Sequence, residues 1–115
     1  MANKVIWFEV LGTDGDKLRT FFSDLFGWRY KDIPGNDYGM TDPEATGIGG
    51  GVGSTPSNAS WSTFYVGVDD VDRTLKRAKE LGAKVLMPVT KLPDVTIAVF
   101  ADPEGHPVGL VKQAS

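Results

Sequence analysis

The sequence predicts an α+β domain that uses the order strand, helix, strand, strand, strand twice. Two observations carry this. The spacing of apolar residues switches repeatedly between a period of two and a period of 3.6, as expected when strands and helices share one core. A shift of 56 residues then lays Trp7 on Thr63, Phe8 on Phe64, Val10 on Val66, Asp14 on Asp70, Asp16 on Asp72 and Leu25 on Leu81, and a one-residue gap puts Gly27 on Gly82. Few identities survive, but the helix-start aspartates and helix-end glycines do the same mechanical work in both halves, so the pattern reads as an internal duplication. With 115 residues and 12.4 kDa, the chain 1–115 is expected to be one domain made of repeats at about 1–56 and 57–115.

The first strand is expected over Val5 to Leu11, a β-branched, aromatic and aliphatic run broken by Glu9. A helix follows, in which Leu18, Phe21, Phe22, Leu25 and Phe26 recur at helical spacing as one wide apolar stripe. Thr13 with Asp16 has the spacing of a capping box, and Gly27 suits the left-handed position past the end. Trp28 to Ile33 and Tyr38 to Thr41 read as short strands around the turn signal Pro34-Gly35-Asn36-Asp37. After Asp42-Pro43-Glu44, the run Gly47 to Gly53 reads as a strand without side chains, because it lacks phosphate-loop spacing and no helix follows it. Ser54 to Ser60 is a polar loop whose Asn58-Ala59-Ser60 matches a glycosylation sequon only by composition. The second half is expected to hold a strand at Trp61 to Val68, a helix at Asp70 to Leu81 closed by Gly82, and strands at Lys84 to Met87, Val95 to Phe100 and Val108 to Lys112.

Composition excludes several classes. Cysteine is absent, which removes disulfides, thiolate metal sites and a cysteine nucleophile together and fits a reducing compartment. Twelve Lys and Arg against 15 Asp and Glu give a net charge of −3 with no basic block, so nucleic acid is not an expected partner. No apolar run approaches a membrane span or a secretory core, and a cytoplasmic protein without a membrane partner is expected.

Three stretches add a resemblance. Phe22-Ser23-Asp24-Leu25-Phe26-Gly27-Trp28 closes the first helix, Val68-Asp69-Asp70-Val71-Asp72 opens the second, and Phe100-Ala101-Asp102-Pro103-Glu104-Gly105-His106-Pro107 precedes the last strand. With a βαβββ unit used twice, the whole chain resembles the vicinal oxygen chelate superfamily of glyoxalases, bleomycin-resistance proteins and extradiol dioxygenases. The resemblance implies two βαβββ modules forming curved, incomplete-barrel mixed sheets, with the helices outside and the ligand or metal in the concave space. That scaffold hosts metal lyases, oxygenases and metal-free binding proteins, so it implies a fold more sharply than an activity. Its metal-dependent members place a His, carboxylate or amide ligand on each of four cleft strands. Those positions fall here on Trp7, the run Gly47 to Gly51, Thr63 and Gly109, none of which supplies such a donor. No metal and no cofactor are therefore expected.

Strand alternation sorts the remaining candidates. Ile6, Phe8 and Val10 should face the first helix, leaving Trp7 and Glu9 on the concave face. Phe64, Val66 and Val68 should face the second helix, leaving Trp61, Thr63, Tyr65 and Gly67 concave. Tyr30 (with Trp28), Met40, Gly49 and Gly109 complete the expected ligand-binding set. The rings of Trp7, Trp61 and Tyr65 also have the plain reading of core residues. Glu9 reads either as a general base and ligand acceptor, or as a carboxylate simply solvated or paired at the cleft mouth. His106 reads as an exposed turn residue.

The leading expectation is a metal-free small-molecule-binding protein of the glyoxalase/bleomycin-resistance type that takes an apolar or aromatic, possibly cationic ligand in the concave cleft, with catalysis left open. The alternatives are a glyoxalase- or dioxygenase-like metal enzyme, and a metal-independent enzyme with Glu9 as base. Curved open sheets with exposed edges also predict a homodimer.

Overall fold

The computed structural model describes residues 2–55 and 60–113. The sequon at Asn58-Ala59 and most of the polar loop lie outside the described residues. The chain divides into two compact units, Trp7–Ser62 and the combination of Met1–Ile6 with Thr63–Ser115. The boundary follows the duplication, apart from the first residues, which go with the second half; Lys4 O, for example, accepts a hydrogen bond from Gly67 N at 2.9 Å.

The first unit holds β1 (Val5–Gly12), α1 (Gly15–Phe26), β2 (Tyr30–Asp32), β3 (Tyr38–Thr41), the single-turn α2 (Pro43–Thr46) and β4 (Gly49–Ser54). Its strands lie in the order β2-β3-β4-β1, with β1 parallel to β4 and the other pairs antiparallel. The second unit holds β5 (Trp61–Val68) from Thr63 onward, its first two residues going with the first unit, together with α3 (Val71–Glu80), β6 (Lys84–Lys91), β7 (Thr96–Ala101) and β8 (Pro107–Lys112). Its order is β5-β8-β7-β6, again with one parallel pair, β5 with β8. The two units thus have the same topology, and both are α+β as expected.

Asp14 and Asp70 are extended residues whose carboxylates accept from Lys17 N at 3.0 Å and Arg73 N at 2.9 Å, capping α1 and α3 identically. The cap of α1 is therefore Asp14, not the expected Thr13/Asp16 box. Gly27 and Gly82 follow the helices at φ 76 and φ 107, where a side chain would be strained.

Three further elements differ from expectation. Asp42 caps the unforeseen α2, whose Pro43 suits a first helical position. The second strand keeps only Tyr30–Asp32. β6 runs through Pro88 to Lys91 with two register shifts, because an edge strand tolerates a residue that cannot donate. In the second unit, Val68, Val71, Leu75, Ala98 and Leu110 form the core beneath α3, with Val66, Val89 and Phe100 packed against it. Phe64, expected on that side, is 42% exposed and stands apart from this cluster. No helix among the described residues is long and apolar enough to cross a membrane.

Candidate functional site

In the first unit the parallel register sets Trp7 beside Gly49, Phe8 beside Gly50 and Glu9 beside Gly51. The antiparallel register adds Met40 beside Gly51 and Tyr38 beside Gly53. Alternation then gives two faces. Phe8 lies on the helix face, where its ring fills the space over Gly50 and packs against Trp28 at 5.4 Å. On the opposite face are Trp7, Glu9, Tyr38, Met40, Gly49 and Gly51.

That face is a hydrogen-bonded array. Trp7 Nε1 donates to Tyr38 Oη at 3.3 Å, and Tyr38 Oη donates to Glu9 Oε2 at 2.9 Å. The glycines make the array possible. A Cβ on Gly51 would lie 2.0 Å from Tyr38 Cζ, and one on Gly49 would lie 3.0 Å from Trp7 Cζ3. Two aromatic rings thus lie over the glycine face of β4, and one of them orients a half-buried carboxylate. Chemically, the face offers a stacking surface with an anionic group fixed at its side.

Tyr38 was not among the residues expected here. It shares strand parity with Met40, so the signal was present in the sequence; only the register of the glycine strand shows that its hydroxyl reaches Glu9. Tyr30 and Trp28 do not join this face. Tyr30 pairs with Thr41, and a Cβ on Gly39 would meet Tyr30 and Arg19, which places Tyr30 on the helix side. Burial pushes its phenol pKa up, against the opposing pull of Arg19, and its Oη is buried with no hydrogen-bond partner. Trp28 packs instead on Phe8, Phe22 and Phe26. Trp61 lines a cavity of about 540 Å³ with Val10, Leu18 and Phe21 beside the first turns of α1, and neither Trp7 nor Glu9 contributes to that lining.

In the second unit, Thr63, Tyr65 and Gly109 share the face opposite the core. Thr63 is buried and its Oγ1 donates to Pro107 O at 2.6 Å. Tyr65 is buried over Gly109, where a Cβ would sit 2.3 Å from Tyr65 Cδ2. Gly109 pairs with Tyr65 as Gly51 pairs with Glu9, so each half uses this glycine to seat a tyrosine ring. His106 is exposed in its turn, held to Asp102 through Nδ1 at 3.1 Å.

These residues do not fit a divalent metal ion. Trp7 offers only an indole N–H, the glycines offer no side chain, the space above Gly51 and Gly109 is filled by rings, and the Thr63 hydroxyl is committed to a carbonyl. Among the described residues no group of three or more His, Cys, Asp or Glu could hold one.

Comparison with known proteins agrees with the topology. The chain is 30% identical over 115 residues to the protein named "Putative glyoxylase CFP32" in Mycobacterium tuberculosis, and equally to the protein of that name in Mycobacterium bovis; the match covers 90% of this chain and 43% of the relative. The chain therefore spans less than half the length of those relatives. A glyoxalase/bleomycin resistance protein/dioxygenase superfamily member from Vibrio splendidus superposes with TM-score 0.66 at 17% identity, covering 97% of this chain and all of the other. Methylmalonyl-CoA epimerase from Mycobacterium tuberculosis superposes with TM-score 0.67 at 13% identity, covering 96% and 88%. At such identities the two structures speak for the fold alone. The glyoxalase-like domain family matches residues 7–111, nearly the whole chain. With the duplicated strand–helix–strand–strand–strand topology, this makes the chain a member of the glyoxalase-like domain family.

Proposed function

We propose that the chain is a metal-free small-molecule-binding protein whose ligand is flat, apolar or aromatic, and cationic. The observation that carries this reading is the array of Trp7, Tyr38 and Glu9 over Gly49 and Gly51. Stacking on an indole and attraction between a cation and an aromatic face contribute roughly 0.5–2 kcal/mol each when desolvated. A carboxylate held by Tyr38 adds a charge-assisted partner for the cationic end.

Titration with benzyltrimethylammonium, followed by tryptophan fluorescence, tests the proposal against neopentylbenzene, its neutral isostere. Quenching by the cation, weakened selectively in Glu9→Gln, is the expected result. Equal response to both compounds, or the same affinity in Glu9→Gln, overturns the role of Glu9.

A second reading has one observation in its favour. The hydroxyl of Tyr38 fixes the Glu9 carboxylate in one orientation, as a general base for proton abstraction requires. Incorporation of solvent deuterium into a bound carbon acid, lost in Glu9→Gln, would move the protein from binder to enzyme.

A further inference from the structure

The face that carries Trp7 and Glu9 continues past Gly51 to the edge strand β2, and there it ends in cations. Residues directly opposed on paired strands share a face. Lys31 of β2 pairs with Met40 of β3, Met40 with Gly51 of β4, and Gly51 with Glu9 of β1. One row across the strands therefore runs from an ammonium to a carboxylate, over two positions that are apolar or carry no side chain. Three strand spacings put its ends about 14 Å apart at the backbone. Tyr30 alternates to the helix side, which is what leaves Lys31 on the face of Met40.

This edge is also hollow. A cavity of about 380 Å³ is lined by Arg29, Tyr30, Lys31, Met40, Thr41 and Asp42, so Met40 belongs both to the cavity and to the row that leads to Glu9. Arg29 and Lys31 are exposed, and neither takes part in an ion pair among the described residues. The Asp42 carboxylate is engaged in capping, where it accepts from Glu44 N at 2.9 Å. Two cations against that one carboxylate leave the cavity singly positive, which suits a monoanion better than a doubly charged phosphate. A guanidinium pairs a carboxylate through two parallel hydrogen bonds, and a lysine on a flexible stem adds a point charge. We propose that Arg29 and Lys31 bind a carboxylate at the far end of the ligand. The ligand is then an extended amphoteric molecule, its cation at Glu9 and its carboxylate at the β2 edge, on the order of 10 Å apart once side-chain reach is allowed for. The cationic half rests on the reading of Glu9 given above; the carboxylate half rests on the β2 edge alone.

Calorimetric titration of the full chain separates the two halves. The probes ω-phenyloctanoate and its methyl ester read the carboxylate end, and benzyltrimethylammonium reads the cationic end. The acid should bind roughly three- to tenfold more tightly than the ester, the range expected of two exposed ion pairs. That advantage should fall to about twofold or less in the R29Q/K31Q double variant, with circular dichroism confirming that the variant is folded. The compound ω-(benzyldimethylammonio)octanoate carries both ends on one chain and should bind more tightly than either single-ended probe. An acid that binds no better than its ester, or whose advantage survives in R29Q/K31Q, overturns the carboxylate site whatever benzyltrimethylammonium does. A joined probe no tighter than ω-phenyloctanoate overturns the amphoteric ligand, because the two ends then do not share one site. An acid advantage that depends on Arg29 and Lys31, in a protein that ignores benzyltrimethylammonium, supports the carboxylate site and overturns the reading of Glu9 alone.

Discussion

Replacing Gly51 by Ala tests the candidate site with one methyl group. The new carbon would lie 1.7 Å from Tyr38 Oη and 2.0 Å from Cζ, where ordinary contacts begin at 3.4 Å, so the ring must leave its place. Gly51 is outside the positive-φ region, so the backbone itself accepts Ala. Displacing the ring removes the bond from Tyr38 to Glu9 at 2.9 Å and the bond from Trp7 at 3.3 Å. A hydrogen bond to a charged group contributes about 1.5–3 kcal/mol, and the long indole bond about 0.5. Ala in place of Gly returns about 0.4–1 kcal/mol by restricting the unfolded chain. The net loss is about 1–3 kcal/mol, or roughly 4–12 °C in Tm for a domain of this size. Thermal melts of Gly51→Ala, Tyr38→Ala and the double variant form a cycle. In the Tyr38→Ala background Gly51→Ala should be neutral or slightly stabilising, because nothing remains to displace. If Gly51→Ala costs the same in both backgrounds, the ring does not lie over Gly51 and the array is wrong.

Phe8→Ala should cost about 2–4 kcal/mol in chemical denaturation, since a half-buried ring packed on Trp28 is lost, whereas Trp7→Ala should cost less and abolish ligand-induced quenching; the reverse order would invert the strand parity. Hydrogen bonds from Ser54 and then Arg19 hold the Asp37 carboxyl below its usual range, and a depressed pKa stabilises the fold above the unfolded value and loses that effect as pH falls through the folded one. Asp37→Asn should therefore melt below wild type at neutral pH, with the gap closing below about pH 4; a gap independent of pH contradicts the ion pair. Incubation with a chelator should leave Tm unchanged, and elemental analysis showing near-stoichiometric zinc, nickel, iron or manganese would contradict the donor reading.

Much of the fold was legible because it depends on local chemistry. Asp14 and Asp70 cap helices wherever they stand before an apolar stripe, Gly27 and Gly82 end them, and the duplication announces that both halves solve the same packing problem. Strand parity likewise placed Trp7 and Glu9 opposite Phe8, since alternation is a property of the extended backbone itself. That Trp7, the run Gly47 to Gly51, Thr63 and Gly109 are the positions to inspect for metal donors came from the resemblance and not from alternation.

What the sequence alone could not supply was register. A glycine strand carries no side-chain pattern to show which partner lies across from it. That Glu9 stands beside Gly51, and that Tyr38 folds over Gly51 to reach Glu9, follows only from three strands held in one pairing. Tyr30 was misplaced for a related reason. Its strand is three residues long, and its facing is set by pairing to Thr41 and by packing against Arg19, not by any apolar alternation of its own. The exposure of Phe21 and Leu25 on α1 was hidden too, because the sequence marks a stripe as apolar while only the tertiary structure decides how much of it the sheet covers. Local propensity and period fixed the elements; pairing between distant strands, which has no local signal, decided the site.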